Sequence, residues 1–113
     1  MNKEFNCPVE ATISLIGGKY KSVILFHLMG KTLRYSELHK KIPKATDKML
    51  AQQLRELEKD GLIKRTVYPV VPPKTEYNLT EFGESLSPIL NAMCNWGESY
   101  LNIPSQCVDC LLY

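Results

Sequence analysis

The segment from Ala45 to Gly61 constrains the fold more than any other part of the chain, because it predicts a helix with two different faces. At about 100° per residue, Leu50, Leu54 and Leu57 fall on one side of this helix. The opposite side, here called the outer stripe, consists of Lys48, Gln52, Arg55 and Lys59 and contains no acid, although the segment has four. A solvated face usually mixes both signs of charge, so the outer stripe favours contact with a polyanion such as DNA.

Length and composition predict one small soluble domain spanning residues 1–113. The chain has 113 residues, of which 44% are hydrophobic and 23% are charged. Such a chain buries a core of modest size, to which a second subunit would add. No apolar run approaches the roughly 20 residues of a membrane span, and the polar start does not resemble a signal peptide. We therefore expect a cytoplasmic protein with no membrane partner.

The net charge of +2 is distributed unevenly along the sequence. Between Gly30 and Lys74 there are 11 basic residues and five acids, whereas Thr75 to Tyr113 contains five acids and no base. A basic middle segment can neutralise phosphates, and the acidic end must then face away from them.

The basic segment has the pattern of a helix-turn-helix. Tyr35, Leu38 and Ile42 have the spacing of a short amphipathic helix. Thr46 is a suitable N-cap for the longer helix that follows, and Gly61 is placed to end it. A short helix, a turn and a longer helix with a basic outer face form a helix-turn-helix.

The sequence after Gly61 predicts a β-hairpin. The stretches LIKRTVY and KTEYNLT are rich in β-branched and aromatic residues, and the proline-bearing loop PVVPP separates them. A hairpin that follows a recognition helix is the wing of a winged helix, which contacts the DNA backbone or minor groove.

The flanking segments predict a scaffold and a dimer surface. Residues 20–29 are apolar around most of a helix, which indicates a buried central helix. A C-terminal helix is predicted over residues 80–101, with Thr80 as its N-cap and with Pro88 kinking or resetting it. Its apolar stripe of about four turns exceeds what a small domain can cover, so we expect a homodimer that binds a pseudo-palindromic operator in double-stranded DNA.

Four motifs in order resemble the HxlR-type regulators, which are bacterial winged-helix proteins related in design to the MarR group. The motifs are CPVEATISLIGGKYK at residues 7–21, RYSEL at 34–38, KMLAQQLRELEKDGLIKR at 48–65 and VPPKTEYNLTEFG at 71–83. The resemblance covers residue 7 to about residue 100. It implies a dimeric DNA-binding transcriptional regulator whose recognition helix is Thr46 to Asp60 and whose wing is Ile63 to Leu79.

The fold class expected from residues and resemblance together is α+β, mainly α. It is a winged helix-turn-helix with a two-stranded wing and added N- and C-terminal dimerisation helices. The resemblance places the arm and first helix, residues 1–18, in the dimer interface together with residues 80–101. Residues 102–113 are expected to form a tail.

Individual DNA contacts follow from side-chain chemistry. Glutamine can pair with adenine, and arginine or lysine with guanine, which makes Lys48, Gln52 and Arg55 the base-reading candidates. The phosphate candidates are hydroxyl and basic side chains around that helix and on the wing: Arg34, Ser36, Thr46, Lys64, Arg65 and Lys74.

The cysteines raise the possibility of redox control. Cys7 precedes Pro8 and so would be the N-cap of a first helix, where the dipole and free amides favour a thiolate. Some HxlR-type regulators respond to oxidants or electrophiles through a cysteine near this end, and others do not. Cys107 and Cys110 form a C-x-x-C that could be a reversible disulfide, pair with Cys7, or supply half of a zinc site. We expect no metal and no cofactor.

An enzyme is not expected, because the chain has no glycine-rich phosphate loop, no recognisable carboxylate pair and no nucleophile with a nearby base. Two alternatives remain. One is a regulator without redox sensing, and the other is a winged-helix module that binds proteins and would leave the outer stripe unexplained.

Overall fold

The computed structural model describes residues 4–102, which form a winged helix-turn-helix with helices on both flanks. The elements in chain order are α1 (Pro8–Ile16), α2 (Lys21–Leu28), β1 (Leu33–Arg34), α3 (Tyr35–Lys41), α4 (Asp47–Lys59), β2 (Ile63–Tyr68), β3 (Lys74–Leu79), α5 (Glu81–Glu84) and α6 (Ser87–Leu101). Among the helices of residues 4–102, none is long and apolar enough to cross a membrane.

The two ends of α4 are closed as the sequence predicts. Thr46 is the N-cap, and its hydroxyl oxygen accepts a hydrogen bond from the backbone N–H of Met49 at 3.1 Å. At the other end Gly61 adopts a left-handed conformation with φ of +80°. The N–H groups of Gly61 and Leu62 donate to the carbonyls of Glu58 and Leu57, each at 3.0 Å, which is the Schellman arrangement.

The hydrophobic core lies behind α4 and around α2. Leu50, Leu54 and Leu57 are at most 2% exposed, which confirms the predicted inner face of α4. α2 contributes further fully buried leucine and isoleucine side chains, so its prediction as the central helix is also confirmed: Ile24, Leu25 and Leu28. The apolar face of α4 therefore fixes the direction of this helix relative to the rest of the domain.

The wing belongs to a three-stranded antiparallel sheet in the order β1-β3-β2. The predicted hairpin is present as β2 and β3, with Ile63 opposite Leu79 and Tyr68 opposite Lys74. β1, which was not predicted, adds Leu33 and Arg34 to the free side of β3. Two residues are too few to show a strand periodicity, and the partner on β3 is what defines them as a strand.

The predicted C-terminal helix over residues 80–101 divides into two. Thr80 caps only the short α5, through a hydrogen bond from the N–H of Gly83 at 3.0 Å. α6 begins at Ser87 with Pro88 in its first turn. Proline has no N–H and is tolerated at the first helical position, so Pro88 starts a new helix and does not kink a continuous one.

Polar contacts fasten α3 to the start of α4. The Tyr35 hydroxyl donates to Asp47 at 2.7 Å, and Nδ1 of His39 lies 3.2 Å from the same carboxylate oxygen. Nε2 of His39 is 2.8 Å from the carbonyl oxygen of Ala45. Burial and then the hydrogen bond to Asp47 raise the pKa of Tyr35 to about 12, so this hydroxyl keeps its proton across the physiological range.

Candidate nucleic-acid interface

The outer stripe of α4 is exposed along its whole length, from Lys48 through Gln52 and Arg55 to Lys59. Lys48 and Arg55 are separated by about 10 Å along the helix axis, given a rise of 1.5 Å per residue. That span matches the width of the B-DNA major groove, about 12 Å. The base-reading candidates are therefore presented together on one solvent-facing surface.

One acid lies beside the outer stripe and is charge-paired. Glu56 is half-buried, and its Oε1 is 2.7 Å from Nζ of Lys21, which is 8% exposed. Its Oε2 accepts a hydrogen bond from Nε2 of Gln52 at 3.2 Å. The hydrogen bonds from Lys21 and then from Gln52 hold the pKa of Glu56 below its ordinary value, so the carboxylate is ionised at neutral pH.

Three of the phosphate candidates line one groove. It has a volume of about 560 Å³ and lies between the start of α3 and the wing loop. Arg34 and Ser36 line it from the α3 side, and Lys74 lines it from the wing. The groove thus brings Lys74 close to Arg34 and Ser36, which are at least 38 positions away in the sequence. This is possible because β1 and β3 are paired through Arg34 and Glu76.

The strand register separates the two basic residues of β2. Neighbouring side chains in a strand point to opposite faces of the sheet. Lys64 lies opposite Asn78 and so shares a face with Arg34, whereas Arg65 lies opposite Tyr77, on the face that includes the core. Both basic side chains are exposed, but they leave the hairpin in opposite directions. The two phosphate candidates of β2 are therefore presented on opposite faces of the hairpin.

Lys74 is less available for a phosphate contact than an unpaired lysine on the wing would be. Its Nζ lies 3.7 Å from Oε2 of Glu76 and 4.7 Å from the centre of the Tyr68 ring. A hydrogen bond with Glu76 raises the pKa of Tyr68 above its ordinary value. Part of the Lys74 charge is therefore balanced within the wing.

Thr46 lies at the start of α4, where it is the N-cap. Its side-chain oxygen accepts from Met49 as the N-cap, and the residue is exposed. A hydroxyl has one proton to donate besides its lone pairs, so this proton is available to a phosphate oxygen. The cap and the proposed phosphate contact are compatible.

Two further surfaces, one on α6 and one on α1, are apolar and exposed. On α6 the exposed side chains recur at helical spacing and form what we call the α6 apolar face: Ile89 at 40%, Met93 at 48%, Trp96 at 70% and Tyr100 at 75%. The rings of Trp96 and Tyr100 stack with centres 5.5 Å apart. On α1, Val9 and Ile13 are 62% and 56% exposed. Large exposed apolar surfaces of this kind mark interaction sites.

Cys7 occupies the predicted position. It is the N-cap of α1, it is exposed, and Pro8 follows it in the first turn. Cys107 and Cys110 lie outside the described residues. Within residues 4–102, no group of three or more His, Cys, Asp or Glu side chains is arranged to hold a metal ion.

Sequence reasoning missed the contacts that hold α4 to α2. Oε1 of Gln53 accepts from the backbone N–H of Tyr20 at 3.0 Å, and a side chain on Gly18 would collide with Gln53, its Cβ only 2.7 Å from that oxygen. From the sequence alone, the Gly17-Gly18 pair indicates no more than a break between two helices. The salt bridge between Lys21 and Glu56 was also not predicted, because a lysine at the start of an apolar helix has no visible partner in the sequence.

The exposed basic helix of a helix-turn-helix, followed by a β-hairpin wing, defines a winged-helix protein of the DNA-binding type. The chain belongs to the HxlR-like helix-turn-helix family, whose model matches residues 15–105. The resemblance in the sequence motifs is therefore confirmed.

Several relatives and solved structures extend this result. The HTH-type transcriptional regulator YdeP of Bacillus subtilis is 54% identical over 94 residues, which are 83% of this chain and 73% of YdeP. A crystal structure of the HTH-type transcriptional regulator ytcD has a TM-score of 0.79 at 54% identity, covering 85% of this chain and 98% of that one. The redox regulator HypR in its oxidized form has a TM-score of 0.79 at 50% identity, covering 82% of this chain and 96% of that one.

These relatives are transcriptional regulators, and the chain is accordingly a transcriptional regulator with a winged helix-turn-helix. It is not an enzyme, as the sequence predicts.

Proposed function

We propose that the protein is a dimeric, sequence-specific DNA-binding regulator, with α4 in the major groove of each half-site. The observation that carries the proposal is the outer stripe, which is exposed, acid-free and fixed in direction by the buried leucines behind it. Lys48, Gln52 and Arg55 are assigned to base edges. Phosphates are assigned to Arg34, Ser36, Thr46, Lys64 and Lys74, with Arg65 on the opposite face of the wing.

The proposed homodimer rests on the α6 apolar face and the exposed side of α1. Trp96 and Tyr100 are at least 70% exposed, although burying such rings is strongly favourable. A second copy of the same chain offers the same apolar side chains, as a two-fold interface requires. Two subunits related in this way present two recognition helices, which predicts a pseudo-palindromic operator with half-sites about one or two helical turns apart.

Selection of bound duplexes from random genomic fragments tests this proposal. We expect the enriched fragments to share an inverted repeat with the predicted spacing, and sequencing of the bound pool would measure it. Enrichment of a single unrepeated half-site would contradict the dimeric mode of binding. The absence of any enrichment, together with the absence of binding to random duplex, would favour the protein-interaction module.

We further propose that Cys7 makes operator binding responsive to oxidants or electrophiles. Cys7 is exposed at the N-terminus of α1, close in sequence to the apolar side chain of Val9 that is assigned to the dimer interface. The similar protein HypR is named a redox regulator and has been solved in oxidized and reduced forms. A disulfide formed by Cys7 across the interface would change the relative position of the two α1 helices, and with them the spacing of the recognition helices.

Cys7→Ser is expected to abolish the change in operator affinity that an oxidant such as diamide causes in the wild type. Serine keeps the N-cap geometry but forms no disulfide, so basal binding should be unchanged. The measurement is operator affinity by fluorescence anisotropy before and after oxidation. Cys107→Ser/Cys110→Ser is the matched control. If the Cys107→Ser/Cys110→Ser protein loses the response as well, the tail thiols are the partners of Cys7. An intact response in Cys7→Ser would show that Cys7 is not the sensor.

A further inference from the structure

Glu56 links a buried lysine to one of the proposed base-reading side chains. Lys21, the first residue of α2, is 8% exposed and has its Nζ 2.7 Å from Oε1 of Glu56. The other carboxylate oxygen of Glu56 accepts a hydrogen bond from Nε2 of Gln52 at 3.2 Å. Gln52 itself is exposed on the outer stripe. The three side chains therefore form a continuous path from the core to the DNA-facing surface.

We infer that Glu56 is a positioning residue for base recognition, which fixes the carboxamide of Gln52 so that this position of each half-site reads adenine. The inference rests on the proposed function, in which α4 enters the major groove. Glu56 itself contacts no base and acts only through Gln52.

The chemistry of the two side chains determines the orientation. An ionised carboxylate only accepts hydrogen bonds, so Glu56 selects the nitrogen of the Gln52 carboxamide and excludes its oxygen. One N–H of the carboxamide is used in this contact. The second N–H and the carbonyl oxygen remain for DNA. Adenine offers the matching pair in the major groove, an acceptor at N7 and a donor at N6, whereas guanine offers two acceptors at N7 and O6.

Lys21 explains how an acid can lie beside a DNA-binding stripe. An unpaired carboxylate near phosphates would repel the duplex. The ammonium group of Lys21 balances the charge of Glu56 from the protein side, away from the DNA major groove. Glu56 can then serve as an acceptor for Gln52 at little cost in DNA affinity.

Three variants test the inference by measuring the preference for adenine over the other bases at the affected position of the selected operator. A bidentate contact of this kind gives a preference of about 5- to 150-fold, which Gln52→Ala should abolish. Glu56→Ala should reduce the preference most of the way towards the Gln52→Ala value. Affinity for random duplex should not fall, because the variant removes a negative charge. Glu56→Gln should lose the preference as well, because its one carbonyl oxygen is retained by the Lys21 ammonium and its amide nitrogen, which only donates, then faces Gln52.

The combination Gln52→Ala/Glu56→Ala separates positioning from a general structural effect. If Glu56 acts through Gln52, adding Glu56→Ala to Gln52→Ala changes the base preference no further. Thermal unfolding verifies that each variant is folded, and Glu56→Met, which keeps the packing of the stem, replaces Glu56→Ala if the latter is not. An unchanged adenine preference in a folded Glu56→Ala or Glu56→Met protein would overturn the inference while leaving the proposed function intact. If the wild-type protein bound no DNA at all, the proposed function would instead be refuted.

Discussion

Arg55→Ala is expected to weaken operator binding by about 1–3 kcal/mol and to relax the preference at one base position. Arg55 is exposed on α4, three residues beyond Gln52, and a guanidinium can donate two hydrogen bonds to O6 and N7 of guanine. Alanine removes both donors and the positive charge but keeps the helix, since alanine has the highest helix propensity. Titration of operator variants that differ at each position would measure the effect.

Lys59→Ala is the matched control for Arg55→Ala. It removes the same charge from the same stripe, but at the last residue of α4, about 6 Å further along the axis. We expect little change in base preference and at most a small uniform loss of affinity. An equal loss on operator and random DNA in Arg55→Ala would show that Arg55 contacts a phosphate and does not read a base.

Trp96→Ala is expected to weaken dimerisation by about 30- to 1000-fold, which corresponds to about 2–4 kcal/mol for a buried aromatic anchor. Trp96 is 70% exposed in the single chain and stacks on Tyr100, so its removal takes away the largest side chain of the α6 apolar face. Because two linked half-site contacts bind more tightly than one, operator affinity should fall in parallel. Sedimentation equilibrium would measure the dimer dissociation constant.

Val67→Ala controls for the loss of an exposed apolar side chain elsewhere. Val67 is 48% exposed, but it lies on β2 of the wing and is not part of the α6 apolar face. We expect its dimerisation to equal that of the wild type. A Trp96→Ala protein that remained fully dimeric at the same concentrations would contradict the assignment of this face.

Helix α4 could be predicted from the sequence in most of its detail. The leucine periodicity of α4 and the choice of Thr46 and Gly61 at its ends are local signals, and local signals are what a sequence shows directly. The wing was predictable for the same reason, because two β-branched stretches flank a proline-bearing loop.

The parts that sequence did not reveal depend on distant contacts. β1 is a strand only because Leu33 and Arg34 pair with β3. The partner of Lys21 lies 35 positions along the chain on α4, and Gln53 meets the backbone of Tyr20 across 33 positions. Such pairs are determined by how the helices pack. The sequence predicts that Pro88 either kinks the C-terminal helix or resets it. The structure shows a reset, because Thr80 caps a separate short helix, α5, and Pro88 lies in the first turn of α6.

The sequence predicted which residues belong to the candidate site better than it predicted how they are arranged in space. Exposure of Lys48, Gln52 and Arg55 follows from helical spacing alone. Strand alternation alone divides Lys64 and Arg65 between two faces of the wing, but the strand register was required to show that Lys64 is the one that shares a face with Arg34.

The salt dependence of binding to random-sequence duplex tests the central claim most directly, because it reports phosphate neutralisation without requiring a known operator. For a dimer with three or more phosphate contacts in each subunit, log K should fall linearly with log salt concentration. Affinity should drop by about 10³-fold or more between about 50 and 200 mM salt. No binding at low salt, or a flat dependence, would contradict the assignment of the outer stripe and the wing as a DNA-binding surface.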